Sequence, residues 1–186
     1  MKLEDIVTVK VGRNLSRGNE LHNQSSYTYE DLTNDLDGLF LNSKASISNG
    51  NASDKENHLS RVGEVVFSFV SSKAAIVSDV NEEKIINQNF AKLIIEHKHL
   101  DHSYLCYALN ESHSMKKQMA ISMQGSTVRK LTPAILKSLE MKLPSMEKQQ
   151  TIGKAYLNLK KRQALAKKQA DLEERFFLEV LKRIEQ

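Results

Sequence analysis

Cysteine, proline and long apolar runs are scarce in this sequence, and each scarcity excludes something. One cysteine, Cys106, among 186 residues cannot form an internal disulfide and points to a reducing compartment. No apolar run approaches the ~20 residues of a bilayer-spanning helix, so no membrane association is expected. The opening "MKLEDIVTVKVGRN" carries Glu4 and Asp5 before any long apolar stretch, unlike a secretory leader. A cytoplasmic protein is expected. The two prolines, Pro133 and Pro144, are not preceded by an Asn-Pro or Asp-Pro step. The Asn-Pro-Pro or Asp-Pro-Pro pair used by amino-methyltransferases is therefore missing. Seven glycines build no phosphate loop of the P-loop or Rossmann type. What is present is 40% apolar residues, enough for a core, in a length that suits one domain plus an extension.

Charge is balanced overall but segregated. Residues 1–143 carry 17 Lys and Arg against 17 Asp and Glu, so the net +4 comes from residues 144–186. Ser112 to Leu139 holds Lys116, Lys117, Arg129, Lys130 and Lys137 with no acidic residue. Glu20 to Asp37 holds five acidic residues and no Lys or Arg. A neutral domain with one basic stretch can grip phosphates, or can present an ordinary solvated face.

Periodicity sets the organisation. "DIVTVKVG" (5–12), "GEVVFSFV" (63–70), "KAAIVSDV" (73–80) and "FAKLIIE" (90–96) are β-branched and read as strands, the middle two close enough to pair. Short strands are also expected at 39–42 and 139–144. Polar, turn-rich stretches at 13–38 and 43–60 read as long loops, with a short element around Tyr27 to Leu32. Residues 101–120 suggest one helix capped by Asp101. "TPAILKSL" (132–139) has Thr132 as N-cap and Pro133 in the first turn. The fold class expected is α+β: a mixed sheet with long loops, the kind of scaffold that carries recognition. A long C-terminal helix of coiled-coil type follows, with the division at 1–143 and 144–186.

That helix has no glycine beyond Gly153 and no proline. Ile152, Tyr156, Leu159, Gln163, Ala166, Ala170, Glu173, Phe177, Val180 and Ile184 alternate steps of four and three, which is a heptad seam. At ~1.5 Å per residue such a helix runs about 60 Å and needs a partner for its apolar face. The partner is a second copy, another protein, or the chain's own domain.

Chemistry-bearing constellations are few. His97, His99 and His102 lie close in sequence, but no cysteine or carboxylate set has zinc spacing. Glu82, Glu83 and Lys84 imitate part of a metal-dependent nuclease core, yet "DVNEEK" reads better as a charged turn. No nucleophile and base arrangement stands out, and no catalysis is expected. "QGSTVRKL" (124–131) remains. Gln124 can read base edges, Ser126 and Thr127 offer hydroxyls, and Arg129 and Lys130 offer charge to phosphates; the other reading is an ordinary capped turn.

Taken with "KLEDIVTVKVGRNLSRGN", "GEVVFSFVSSKAAIVSD", "INQNFAKLII" and "LDHSYLCYALN", the stretch "QGSTVRKLTPAILKSLEMKLPSMEKQQTI" and the helix after it resemble half of a type I restriction-modification specificity subunit. The half is one target recognition domain followed by one spacer helix. Members of that family usually carry two such units; no internal repeat is visible here. The resemblance implies double-stranded DNA as a partner, read at a bipartite site, with DNA contacts in loops. On that basis Lys73, Arg129 and Lys130 are expected at phosphates, and Arg17 and Gln124 at base edges. Arg13, Lys44, Ser126 and Thr127 complete the candidate set.

The resemblance further implies no catalytic site and no cofactor in this chain. S-adenosylmethionine is expected in modification methyltransferase subunits, with ATP and Mg2+ in an endonuclease subunit where restriction occurs. A homodimer through Ile152, Tyr156, Leu159, Ala166, Ala170, Phe177, Val180 and Ile184 would give inverted half-sites. Pairing with another half specificity subunit would give a non-palindromic site. The alternative, from a different class, is an interaction protein that binds modification or specificity subunits without reading a site.

Overall fold

β-Branched alternation makes strands of Val7–Val11 (β1), Val65–Ser68 (β2), Lys73–Ile76 (β3) and Phe90–Ile95 (β4). The structure, a computed structural model, describes residues 1–14, 25–38, 58–95, 99–124 and 130–185. The strands form one sheet in the order β1-β4-β2-β3. β2 and β3 make a hairpin from the Val65–Ile76 pair to the Ser68–Lys73 pair, and β4 runs antiparallel between β1 and β2. A mixed sheet was the expectation. All four strands are instead antiparallel, and among the described residues parallel pairing is confined to the bridges Arg13–Asn87 and Ser26–Ile85. The hairpin link is too short for the crossover that parallel neighbours need. Residues 139–144 make no strand either, because Leu139 and Met141 are tied to the first residues by backbone bonds and a single bridge, Lys2–Glu140. The expected strand at 39–42 lies outside the described residues.

Helices follow their caps. Tyr29–Asp37 (α1) starts at Thr28, whose hydroxyl accepts from the Asp31 N–H while the Asp31 carboxylate accepts from Thr28. It ends at Gly38 with φ 65°, a left-handed stop that glycine adopts without strain. This is longer than the short element expected around Tyr27 to Leu32. The stretch expected as one helix over 101–120 is two, His102–Glu111 (α2) and His113–Ser122 (α3), because Ser112 takes ψ 124°. The break lets both bury an apolar face, Leu105, Ala108 and Leu109 on α2 and Met115 and Met119 on α3. Pro133–Ser138 (α4) is capped by Thr132 as expected. Met146–Ile184 (α5) runs for 39 residues.

Both sheet faces are covered, so strand side chains alternate between two clusters. Val65, Phe67, Ala74, Ile76, Ala91 and Leu93 face α2 and α5. Val66, Ala75, Val77 and Phe90 face α1 with Tyr27 and Leu32. α5 is fastened at its start by Gln149, a buried side chain that accepts from the Asp101 N–H at 3.0 Å and donates to the carbonyls of His99 and Pro144 at 2.8 and 2.9 Å. One turn on, Gly153 lies so close to α2 that a Cβ there would sit 2.6 Å from Ser103 Cβ. Beyond Ala164 every described residue of α5 is exposed. Half of a helix roughly 60 Å long therefore projects from the domain.

Candidate nucleic-acid interface

The antiparallel order brings one end of every strand together: the end of β1, the start of β4 and the β2–β3 turn. Residues 85–89, just before β4, organise this end. Arg13 donates its N–H to the Ile86 carbonyl at 2.9 Å, and Ile85 exchanges backbone bonds with Ser25 and Tyr27, both 2.9 Å. The Ile86 N–H donates to His58 at 2.8 Å, and the Phe69 N–H to Asn89 at 2.9 Å. Asn87 adds side-chain bonds to Ser26 and the Tyr27 carbonyl. Lys130 Nζ reaches Asn89 Oδ1 at 3.3 Å. The described chain at 13, 25–27, 58 and 130 thus converges on one short segment.

A buried polar network fixes the platform against α1. The Asp35 carboxylate accepts from Tyr27 Oη at 2.6 Å, from Asn81 Nδ2 at 2.8 Å, and from the Ser78 N–H and hydroxyl. Burial holds its pKa above the ordinary value despite those four donors. Burial and Asp35 likewise push the Tyr27 phenol up. Lys84 pairs with Asp31 at 2.7 Å and with Asn81 at 2.8 Å. Burial raises the Asp31 carboxyl, but the Lys84 and Thr28 hydrogen bonds outweigh it and hold the group below its usual range. Lys84 is thus a structural cation, and Glu82 and Glu83 are exposed. The described histidines form no metal cluster: among the described residues no three metal-ligating side chains converge.

Of the candidate DNA contacts, Arg13 and Lys130 are exposed at the loop end of the sheet, and Gln124 is exposed just beyond α3. Lys73 opens β3 at the same end but is half-buried. Its Nζ lies 3.3 Å from the Asn110 carbonyl and 3.9 Å from Glu111. Burial pushes its amine down. Arg17, Lys44, Ser126, Thr127 and Arg129 lie outside the described residues.

The helical seam divides. Leu159, Phe177 and Ile184 are 51, 63 and 75% exposed, and Ala166, Ala170 and Val180 are also on the open surface. Ile152 and Tyr156, expected at an interface between chains, instead turn to their own domain. Ile152 packs on the core, and Tyr156 is buried against Tyr107 with its hydroxyl 2.9 Å from Asn110. Heptad spacing identifies an apolar stripe but not which neighbour covers it. Sequence reasoning also missed Asn110 and Gln149, single amides whose partners are distant in the chain. Their position within otherwise well-formed helices gives no local signal.

Comparison with known proteins completes the description. A family model described as type I restriction modification DNA specificity domain matches residues 1–174. No curated relative matches the sequence. Among solved structures, the HsdS subunit from Thermoanaerobacter tengcongensis is similar at 18% identity and TM-score 0.52, over 91% of this chain and 39% of that one. The type I restriction-modification S subunit from M. genitalium is similar at 15% identity and TM-score 0.51, over 83% and 37%. A chain from a structure described as the basis of complex assembly and conformational transition of the type I R-M system gives 20% and 0.57, over 97% and 42%. The chain spans less than half the length of each of these, and at such identities the likeness is one of fold.

Proposed function

The chain belongs to the type I restriction modification DNA specificity domain family, and from that premise we propose that it reads one half of a bipartite duplex site. In this reading it contributes no catalysis. It positions adenine methyltransferase subunits, which carry S-adenosylmethionine, and an ATP- and Mg2+-dependent endonuclease subunit where restriction occurs. Residues 1–143 are the recognition domain and 144–186 the spacer and dimerisation helix. The observation that carries the proposal is the convergence of loop bases and of Arg13, Lys73 and Lys130 on one end of the sheet. Loops rooted on a rigid platform are where sequence readers place variable contacts. Arg13, Lys73, Arg129 and Lys130 then hold phosphates and set register, while Arg17 and Gln124 read base edges. Lys44, Ser126 and Thr127 complete the surface.

The helix supports a homodimer. Its seam is symmetric about the middle: in an antiparallel pair Leu159 meets the partner's Phe177, Gln163 meets Glu173, and Ala166 meets Ala170. The polar interruptions face each other and the small residues lie where the axes cross. A second reading, a modulator that binds other specificity or modification subunits, is favoured by Leu172, Phe176, Leu178 and Leu181. These are exposed apolar residues off the seam. Light scattering over a dilution series, with and without a mixed-sequence duplex, separates the readings. A stable dimer that binds duplex with a salt-dependent constant is expected. A monomer without duplex affinity would favour the modulator.

A further inference from the structure

The end of α2 carries a charge imbalance that the recognition loops do not explain. Three lysines from three other elements approach one carboxylate, that of Glu111. Lys116 of α3 lies 2.6 Å from Oε2. Lys160 of α5 and Lys73 of β3 lie 3.6 and 3.9 Å from Oε1. Only the first distance is a close ion pair, so three ammonium groups share one acid and the cluster stays positive. Lys160 and Lys73 are held by further contacts, while Lys116 is about half exposed. The Lys160 side chain is 22% exposed and its ammonium sits 5.6 Å above the Tyr156 ring. Lys73 also donates to the Asn110 carbonyl. Organised, partly desolvated cations cost less to order on a ligand than free surface lysines.

Position supplies the second argument. Lys73 begins β3 at the sheet end that carries Arg13, just past β1, and Lys130, beside Asn89. Three strand spacings of ~4.8 Å separate β1 from β3, roughly 14 Å. That is comparable with the ~12 Å width of a duplex major groove. Cations at both ends of this span can hold phosphates on either side of a groove whose bases the loops between them read. We propose that Lys73, Lys116 and Lys160 form a phosphate cradle for the DNA backbone, with Glu111 as its internal counter-ion. This rests on the DNA-reading function and adds Lys116 and Lys160 to it. Because Lys160 belongs to α5, the cradle joins the spacer helix to the bound duplex, so the arm's direction is set relative to DNA.

The test is the salt dependence of binding by the full chain to a mixed-sequence 30-bp duplex, a probe of chosen length, followed by fluorescence anisotropy. Lys116→Gln and Lys160→Gln should each flatten the slope of log K against log salt by about 0.9. Lys160→Arg should restore it. Glu111→Gln should act in the opposite sense, binding roughly two- to fivefold more tightly, since it removes an acid of surface-pair strength. A merely structural clasp would lower the melting temperature in Glu111→Gln without tightening binding. Unchanged slopes in Lys116→Gln and Lys160→Gln, with a flattened slope in Lys130→Gln, would overturn the cradle and leave the DNA-reading function standing. A wild-type chain with no salt-dependent duplex affinity would overturn both.

Discussion

Asn110→Ala is the substitution that most directly tests how α5 is held to the recognition domain. Asn110 is fully buried, and its amide makes three hydrogen bonds. Oδ1 accepts from the Ala74 N–H at 2.8 Å; Nδ2 donates to the Ala74 carbonyl at 2.7 Å and to Tyr156 Oη at 2.9 Å. Ala74 lies on β3, the edge of the sheet, so on that side the side chain stands in for a further strand. At about 1 kcal/mol net per bond, with a penalty for groups left buried and unpaired, the loss comes to roughly 3 kcal/mol. For a chain of this size that is a melting shift of roughly 6–12 °C. Tyr156→Phe removes one of the three bonds and keeps the ring against Tyr107, so it should cost about 1 kcal/mol. Circular dichroism melts of the two variants give the ratio, and hydrogen exchange over 150–160 should rise in Asn110→Ala. The reasoning fails if Asn110→Ala melts within about 3 °C of wild type, or if Tyr156→Phe costs as much.

Four further outcomes are expected. Lys84→Met should destabilise by roughly 2 kcal/mol, a partly exposed pair being worth less than a fully buried one. It should also change the acid limb. The folded Asp31 carboxyl lies below its unfolded value near 3.9, so its stabilisation is present above that pH and lost as pH falls through the folded value. Without Lys84 this contribution shrinks, as acid melts would show. Gly153→Ala should destabilise by about 1–2 kcal/mol despite alanine's better helix propensity, because its Cβ meets Ser103; chemical denaturation measures this. Phe177→Glu should leave the monomer fold intact, since Phe177 touches solvent within one chain, and abolish dimers in light scattering. In the same dimer, Gln163→Cys combined with Glu173→Cys should cross-link between copies on oxidation, while buried Cys106 stays reduced.

Much of the fold could be read locally. The strands came from β-branched alternation, α4 from Thr132 and Pro133, and the start of α2 from Asp101. These signals sit within a few residues of the structure they specify. What could not be read depends on distant partners. The break at Ser112 lets α2 pack on β3 and α5 while α3 packs on α4. Leu139 and Met141 make backbone bonds to the first residues rather than a sheet. Tyr156 fits a heptad seam equally well whether it meets another chain or, as here, Asn110 and Tyr107 of its own. The candidate DNA contacts show the same divide. The family resemblance nominated Arg13, Lys73 and Lys130, but only the strand order places them at one end of the sheet. The three-lysine cluster joins residues spread from 73 to 160, a grouping with no trace in spacing.

The central claim is that this chain reads DNA sequence as a symmetric pair. Selection of tight binders from a randomised duplex pool by the full chain tests it most directly. The account predicts enrichment of one short half-site in two inverted copies at a fixed separation, set by the paired helices. A pool that stays random after repeated rounds, while the chain remains folded, would contradict it.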